Sequence, residues 1–292
     1  MPSYSYKKID AFTSGYSLGN PAACLYLKQG QTLTDAQMLD VAKQHKGFVS
    51  EVVFCTQAEE NIELIYYSSE CEVDFCGHGT IACMHSLIKD TPRLLSQSEL
   101  TINTRRKGAL MVYNRIAEDN AVFISAPTPV FIGTALTRQA VAEKLGLKEE
   151  RLASDYPLDV IDAGLKTLIV PVKSLADEIS VYPDEPQLKA FCEANNIDII
   201  LIFSMQTQDS SFHAHTRVFA PRFGYLEDPA TGSGNSAFGH YMRKHGLWNG
   251  DAIDIEQGGD DRVFNTVKLK MQEGQLLFGG SATVRIEGQY FI

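Results

Sequence analysis

Glu227-Asp228-Pro229-Ala230-Thr231-Gly232-Ser233-Gly234-Asn235-Ser236-Ala237-Phe238-Gly239-His240-Tyr241-Met242 begins polar and glycine-rich, becomes small and apolar, and runs into Arg243-Lys244-His245-Gly246. This pattern predicts a loop feeding a helix, with basic residues in the last turn and Gly246 as the stop. A helix entered through Thr-Gly-Ser-Gly aims several unpaired backbone N–H groups at whatever lies before it, a ready seat for a carboxylate or phosphate. The small residues Gly232, Gly234, Ser236, Ala237 and Gly239 suit a helix closely surrounded by other chain.

Working outward, the same layout occurs earlier. Phe75-Cys76-Gly77-His78-Gly79-Thr80 is followed by Ile81-Ala82-Cys83-Met84-His85-Ser86-Leu87-Ile88-Lys89. A polar glycine turn again opens a small, apolar helix with a basic end. The two stretches lie about half a chain apart, which implies an internal duplication and two helix N-termini able to face one another.

The 292 residues are long for one core and comfortable for two domains. Hydrophobic residues make up 44% and charged residues 21%, as in an ordinary globular protein. A net charge of −10 with no run of Lys and Arg longer than Arg105-Arg106-Lys107 disfavours nucleic acid and anionic membranes as partners. The N-terminus has no apolar leader and no apolar run is long enough to span a bilayer, so the expectation is a cytoplasmic protein. The six cysteines show no Cys-x-x-Cys and no zinc-type spacing, which favours small buried hydrophobes over a metal site.

Around the glycine helices the chain reads as short strands. Those of the first half are Tyr4–Phe12, Ala22–Leu27 after a turn on Gly19-Asn20-Pro21, Phe48–Cys55, Ile62–Tyr67, Leu100–Thr104, Ala109–Ile116 and Ala121–Ser125. Thr34 with Gln37 predicts a capping box for a helix carrying Met38, Val41, Ala42 and His45 and closed by Gly47. Ser125-Ala126-Pro127-Thr128-Pro129 marks the best boundary. Beyond it, Thr137–Leu145 and the stretch after Asp184 are helical. Strands are expected at Pro157–Ala163, Leu165–Pro171, Ile197–Gln206, His213–Phe219, Ala252–Gln257, Thr266–Gln272, Gln275–Phe278 and Ala282–Glu287. Doubly wound strand–helix alternation is absent. The expectation is an α+β fold of two similar domains, residues 1–126 plus 279–292 and residues 127–278. Each is a curled, mainly antiparallel sheet around its glycine-headed helix, with a cleft between.

Several residues carry chemistry. Glu51 sits in the apolar run Phe48-Val49-Ser50-Glu51-Val52-Val53-Phe54, where a carboxylate tends to a raised pKa and can act as a general acid/base. It is equally readable as the solvent-facing residue of an edge strand. His78, between two glycines at a helix mouth, is either a hydrogen-bond donor to a ligand or an exposed loop residue. Asp228 reads as a ligand contact or a turn aspartate, and Ser233 as a binding hydroxyl or an N-cap. Cys76 at a helix N-terminus is a candidate thiolate. The matching place in the second turn is taken by Pro229, so a two-thiol racemase has nothing to work with. His213-x-His215 has no carboxylate placed to complete a metal set. Gly232-x-Gly234-x-x-Ala237 matches a dinucleotide fingerprint, but no hydrophobic strand or βαβ series precedes it.

Gly19-Asn20-Pro21-Ala22, Ser50-Glu51 ahead of Phe54, Cys76-Gly77-His78-Gly79-Thr80, Arg217-x-Phe219-Ala220-Pro221 and Glu227-Asp228-Pro229-Ala230-Thr231-Gly232-Ser233 resemble the PhzF-like (phenazine-biosynthesis) isomerase family. The resemblance runs in order to Glu256-Gln257-Gly258 and Gly279-Gly280, nearly the whole chain. It implies a diaminopimelate-epimerase-like fold and a cofactor-free, usually homodimeric isomerase that moves a proton within a small, anionic substrate. On this matching Glu51 is the acid/base, with His78 and Asp228 assisting. Asn20, Cys76, Gly77, Gly79, Thr80, Thr231, Gly232 and Ser233 would hold the substrate, and no metal is expected. The chain departs from the family where Ile65-Tyr66-Tyr67-Ser68-Ser69 stands for an Arg-aromatic-Phe-Thr-Pro run, and where Val263-Phe264 follows Arg262 in place of Pro-Ser. Gly79 and Gly234 each stand where Ala is common. These departures lie near the expected cleft and leave room for a substrate other than that of the phenazine enzyme. The rival readings are a racemase or epimerase, a catalytically silent ligand-binding protein of the same fold, and a nicotinamide oxidoreductase.

Overall fold

The computed structural model describes residues 2–58, 61–259 and 263–292, so Arg262 lies outside the described residues. The chain divides into two compact units, Met1–Ser125 with Gly279–Ile292, and Ala126–Phe278.

The elements run in order β1 (Ser3–Ala11), β2 (Asn20–Leu27), α1 (Asp35–Gln44), β3 (Glu51–Ala58), β4 (Asn61–Ser68), β5 (Glu72–Val73), α2 (Gly77–Asp90), α3 (Pro92–Leu95), β6 (Glu99–Thr104), β7 (Gly108–Arg115), α4 (Ile116–Asp119) and β8 (Ala121–Ser125). There follow β9 (Val130–Phe131), α5 (Arg138–Lys144), β10 (Asp159–Asp162), β11 (Lys166–Pro171), α6 (Leu175–Ile179), α7 (Glu185–Ala194), β12 (Ile199–Ser204), β13 (Ala214–Phe219), β14 (Glu227–Asp228), α8 (Gly232–Lys244), β15 (Ile253–Gln257), β16 (Asn265–Gln272), β17 (Gln275–Gly280) and β18 (Ala282–Phe291).

The duplication is visible in the strand pairing. In the first unit β1 pairs antiparallel with β2, β2 parallel with β3, β3 antiparallel with β4, and β4 antiparallel with β5 and parallel with β6. In the second unit β10, β11, β12, β13, β14 and β15 repeat that sequence of directions pair for pair. Each parallel step requires a crossover: α1 and then α2 with α3 supply the two of the first unit, and α6 with α7 and then α8 the two of the second.

Each unit buries its glycine-headed helix. In α2 every residue from Gly79 to Ile88 is buried, and the helix packs on β1, β2, β3, β8 and β18. In α8, Gly232 and Gly234–Gly239 are buried, and the helix packs on β10, β11, β12 and β16. A helix apolar or small all round is one that lies in a core. The outer helices use a single apolar stripe instead. Met38, Val41 and Ala42 of α1 join Leu25, Phe54 and Tyr67, while Val141 of α5 and Leu188 and Cys192 of α7 join Ile200 and Phe219.

Close approach explains the glycine at the head of α8. A Cβ on Gly232 would stand 2.2 Å from Cε2 of the buried Phe278 ring. Gly232→Ala is therefore expected to lower stability by about 1–3 kcal/mol, as overpacking does. A urea midpoint equal to the parent's would show that the ring yields freely.

Local signals place most elements as expected. Thr34 and Gln37 form the capping box of α1, and Thr137 and Asp184 cap α5 and α7. Two expectations are corrected. Asn20 and Pro21 are not turn residues but open β2, paired with Ala11 and Asp10, while Gly19 takes the turn at φ +71°. Residues 48–50 are not strand, because the amides of Phe48 and Val49 return to the His45 carbonyl at the end of α1. Glu51 is thus the first residue of β3 and not a mid-strand residue.

His85 in α2 is buried, with Nε2 3.1 Å from the Asn120 carbonyl oxygen. Burial pushes its imidazole down to about 4. The folded form holds it neutral, so its contribution is complete above the unfolded pKa near 6.5 and is lost as pH falls toward about 4. The loss is on the order of 3 kcal/mol. The stability difference between the parent and His85→Gln should shrink by that amount across this window; a constant difference would assign the acid sensitivity elsewhere.

Candidate active site

In the first unit the starts of two parallel neighbours, β2 and β3, and the mouth of α2 carry the candidate side chains. Glu51 stands opposite Ala22 of β2 and Ser68 of β4. Asn20, buried, begins β2 two residues ahead of Ala22, on the same face of the strand. Cys76 is the N-cap of α2, its Sγ accepting the Gly79 amide at 3.2 Å. This leaves the first-turn amides of Gly77 and His78 without an intrahelical carbonyl, the property that makes such a helix end an anion seat.

Three side chains converge there. Glu51 Oε2 lies 3.4 Å from His78 Nε2 and 3.8 Å from Cys76 Sγ. Cys76 Sγ is 3.5 Å from His78 Nδ1 and 3.8 Å from Nε2, and Ser50 Oγ is 3.4 Å from Nε2. The Glu51 and His78 side chains keep 19% and 13% of their surface, so they are mostly covered but reachable by a solute. A carboxylate and an imidazole in direct reach of each other can pass and hold a proton. Thr80 does not join them. It is fully buried, its hydroxyl meeting Tyr66 Oη at 2.7 Å and donating to the Cys76 carbonyl at 2.7 Å, so it braces the turn from behind. Tyr66 belongs to the Ile65–Ser69 departure, and holding this brace is its place in the structure.

In the second unit the mouth of α8 is organised around Gln257, which the sequence shows only as part of Glu256-Gln257-Gly258. Its Oε1 accepts the Thr231 amide at 2.9 Å and Asn235 Nδ2 at 2.7 Å, while its Nε2 donates to the Asp228 carbonyl at 2.9 Å. Thr231, the N-cap, is buried and donates its hydroxyl to Asp228 Oδ2 at 2.5 Å. Thr231 therefore positions Asp228 and is not itself placed to face a ligand. Asp228 and Ser233 are half-buried, and Ser233 is the second residue of the helix, not its cap.

The matching of the two mouths is also corrected. Cap for cap, Cys76 corresponds to Thr231, two residues beyond the Pro229 set against it from sequence. The consequence for a two-thiol mechanism is unchanged, since a threonine hydroxyl is no thiolate. His215 differs too. The structure brings the Glu178 carboxyl to 3.1 Å from its Nδ1, both side chains fully buried, where the sequence shows no carboxylate nearby. Burial raises the Glu178 carboxyl well above the usual range and lowers His215 to about 4, disfavouring the charged form of each. Phe264, the second departure, is packed against the His215 ring at 4.5 Å.

Residues 9–289 match the family of phenazine biosynthesis-like proteins, PhzC-PhzF. An uncharacterised isomerase of Bacillus subtilis, YfhB, is 28% identical over 285 residues, covering 96% of this chain and 94% of that protein. The crystal structure of a PhzF-family phenazine biosynthesis protein from Bacillus anthracis superposes with a TM-score of 0.86 at 25% identity, with both chains fully covered. A hydroxyproline epimerase from Agrobacterium vitis shares the fold at a TM-score of 0.58 and 11% identity, covering 99% of this chain and 91% of that one. The two-fold repeat of curled sheets around glycine-headed helices is thus the epimerase-like fold expected from the motifs. Among the described residues no helix is long and apolar enough to cross a membrane. Relatives named as isomerases over nearly the full length, together with the family match, make this an isomerase. The chain belongs to the phenazine biosynthesis-like PhzC-PhzF family.

Proposed function

We propose that this chain is a cofactor-independent isomerase that moves a proton within a small, carboxylate-bearing metabolite, with Glu51 as the acid/base. The observation that carries this reading is the convergence of Glu51 Oε2, His78 and Cys76 at the mouth of α2, partly open to solutes. Glu51 Oε2 takes the proton from a carbon activated by the neighbouring unsaturation or carboxylate of the substrate. His78 Nε2, at 3.4 Å from the same oxygen, orients the carboxylate and stabilises whichever form carries charge. The proton then returns to a different atom, so no net proton enters or leaves. The Gly77 and His78 amides at the head of α2 are the proposed seat of the substrate carboxylate, with Asn20 and Gly79 lining that seat. Within the second unit, Asp228, held by Thr231 and Gln257, and the Gly232–Ser233 turn are the proposed binding residues.

A racemase or epimerase needs a second base acting on the opposite face of the carbon. Cap for cap, Thr231 stands at α8 where Cys76 stands at α2 and offers no thiolate, so a two-thiol pair is not supplied.

Incubation in D₂O with a panel of small carboxylates, amino acids and aryl or cyclohexadienyl acids, read by mass spectrometry, tests the reading. Deuterium should enter one compound class. Ligands that stabilise the fold without exchange across a broad panel would instead mark a silent binding protein.

A further inference from the structure

The convergence at the mouth of α2 has donor chemistry beyond proton transfer. The three ligand atoms of Glu51, Cys76 and His78 lie within 4.8 Å of one another, and they combine carboxylate, thiol and imidazole. Oxygen alone suits magnesium or calcium, whereas sulfur with nitrogen selects zinc and similar softer divalent ions. Zinc bonds of about 2.3 Å to sulfur and about 2.0–2.1 Å to nitrogen and oxygen, in a tetrahedron, put the donor atoms about 3.3–3.6 Å apart. The edges here are 3.4 Å for oxygen to nitrogen and 3.8 Å for sulfur to each of the other two. A triangle of those edges has a centre about 2.1 Å from every corner, so an ion at bonding distance lies near the plane of the three donors, and drawing the sulfur edges in by about 0.2–0.3 Å gives the tetrahedral pitch.

The surroundings suit an ion as well. The Gly79 amide donates to Sγ at 3.2 Å, a contact that both steadies a thiolate and fixes its direction. The partial exposure of Glu51 and His78 leaves a fourth position for water or a solute. The sequence conceals the set because Glu51 lies 25 residues before Cys76, outside any local ligand spacing.

We propose that Glu51, Cys76 and His78 form a tetrahedral site for zinc or a comparably soft divalent cation, and that the bound ion switches the enzyme off. Binding releases the Cys76 thiol proton to solvent and leaves neutral imidazole and carboxylate as the other ligands. It occupies Glu51 Oε2, the oxygen assigned above to the substrate proton, so the inhibitory half rests on that reading. The binding half does not.

The experiment is titration of the full chain with CoCl₂ followed by ZnCl₂, read by absorption spectroscopy. Expected are one equivalent of cobalt, a near-ultraviolet thiolate-to-cobalt band, strong visible bands of tetrahedral cobalt, and displacement by one equivalent of zinc. Cys76→Ser should abolish the thiolate band and weaken zinc at least ~10-fold through loss of one of three protein ligands. Serine is itself a favoured N-cap, so α2 keeps its start. His78→Gln, a second variant, should weaken zinc comparably. A weak octahedral spectrum, or zinc affinity unchanged in both variants, would overturn the site. With a substrate from the D₂O panel, exchange should fall with the zinc occupancy curve. Exchange that persists at full occupancy would overturn inhibition, while the spectra decide the site even if no compound in the panel turns over.

Discussion

Glu51→Gln should reduce deuterium exchange by roughly 10²–10⁴-fold, the span expected for removal of a positioned general acid/base. That corresponds to about 3–5 kcal/mol of lost transition-state stabilisation. Glutamine keeps the shape of glutamate and its two hydrogen-bonding ends but cannot accept a proton at working pH. The pairing of residue 51 with Ala22 and Ser68 is made by the backbone and is indifferent to the change. The unfolding free energy from urea denaturation should therefore stay within about 1 kcal/mol of the parent's, since only the partly covered carboxylate is altered. Turnover retained within tenfold would remove Glu51 from the chemistry. Loss of turnover together with loss of folding would make the residue structural.

The largest stability effect is expected at Arg217. Its side chain is fully buried in the second unit and uses its whole fork. Nε and Nη2 donate to the two Glu227 carboxylate oxygens at 3.0 and 2.8 Å. Nη1 donates to the carbonyls of Glu178, Ile179 and Val181 at 2.8, 3.2 and 2.8 Å, closing the C-terminus of α6. Its guanidinium carbon also stands 5.4 Å from the centre of the Tyr182 ring and 5.1 Å from that of Phe219. Arg217→Met fills similar space but takes the partner from the Glu227 carboxylate, which keeps 24% of its surface, and from the Ile179 and Val181 carbonyls, while the Glu178 carbonyl keeps the Val181 amide. Breaking one partner of a fully buried pair costs about 3–5 kcal/mol; the partial exposure of Glu227 sets the expectation at the lower end of that span, with the two helix-end carbonyls adding to it. Lysine cannot reproduce the planar fork, so Arg217→Lys should recover only part. A loss below about 1 kcal/mol for the methionine variant would show that water replaces the guanidinium without penalty.

Glu227 and Asp228 are adjacent, which ties this scaffold to the site. Arg217 holds Glu227 while Thr231 and Gln257 hold Asp228. A run that reads from sequence as one polar motif is thus divided by the structure between two hydrogen-bond sets, one on Arg217 and one on Thr231 and Gln257.

What the sequence determined by itself is local. Thr34 with Gln37, Thr137 and Asp184 name their helix starts because a cap bonds an amide only a few residues away. The glycine turns before α2 and α8 are legible for the same reason, and their likeness exposes the duplication and the family. Tertiary structure decided the rest. Whether Glu51 opens or continues a strand depends on where β2 lies alongside and on how residues 45–49 leave α1. Its meeting with His78 and Cys76 depends on the packing of α2 against β3. The clamp by Gln257 joins residues 26 and 29 positions apart, and the Arg217 cap spans 39. Such contacts carry no periodicity or spacing in the chain; burial and hydrogen-bond demand select them only once the sheets have curled around their helices.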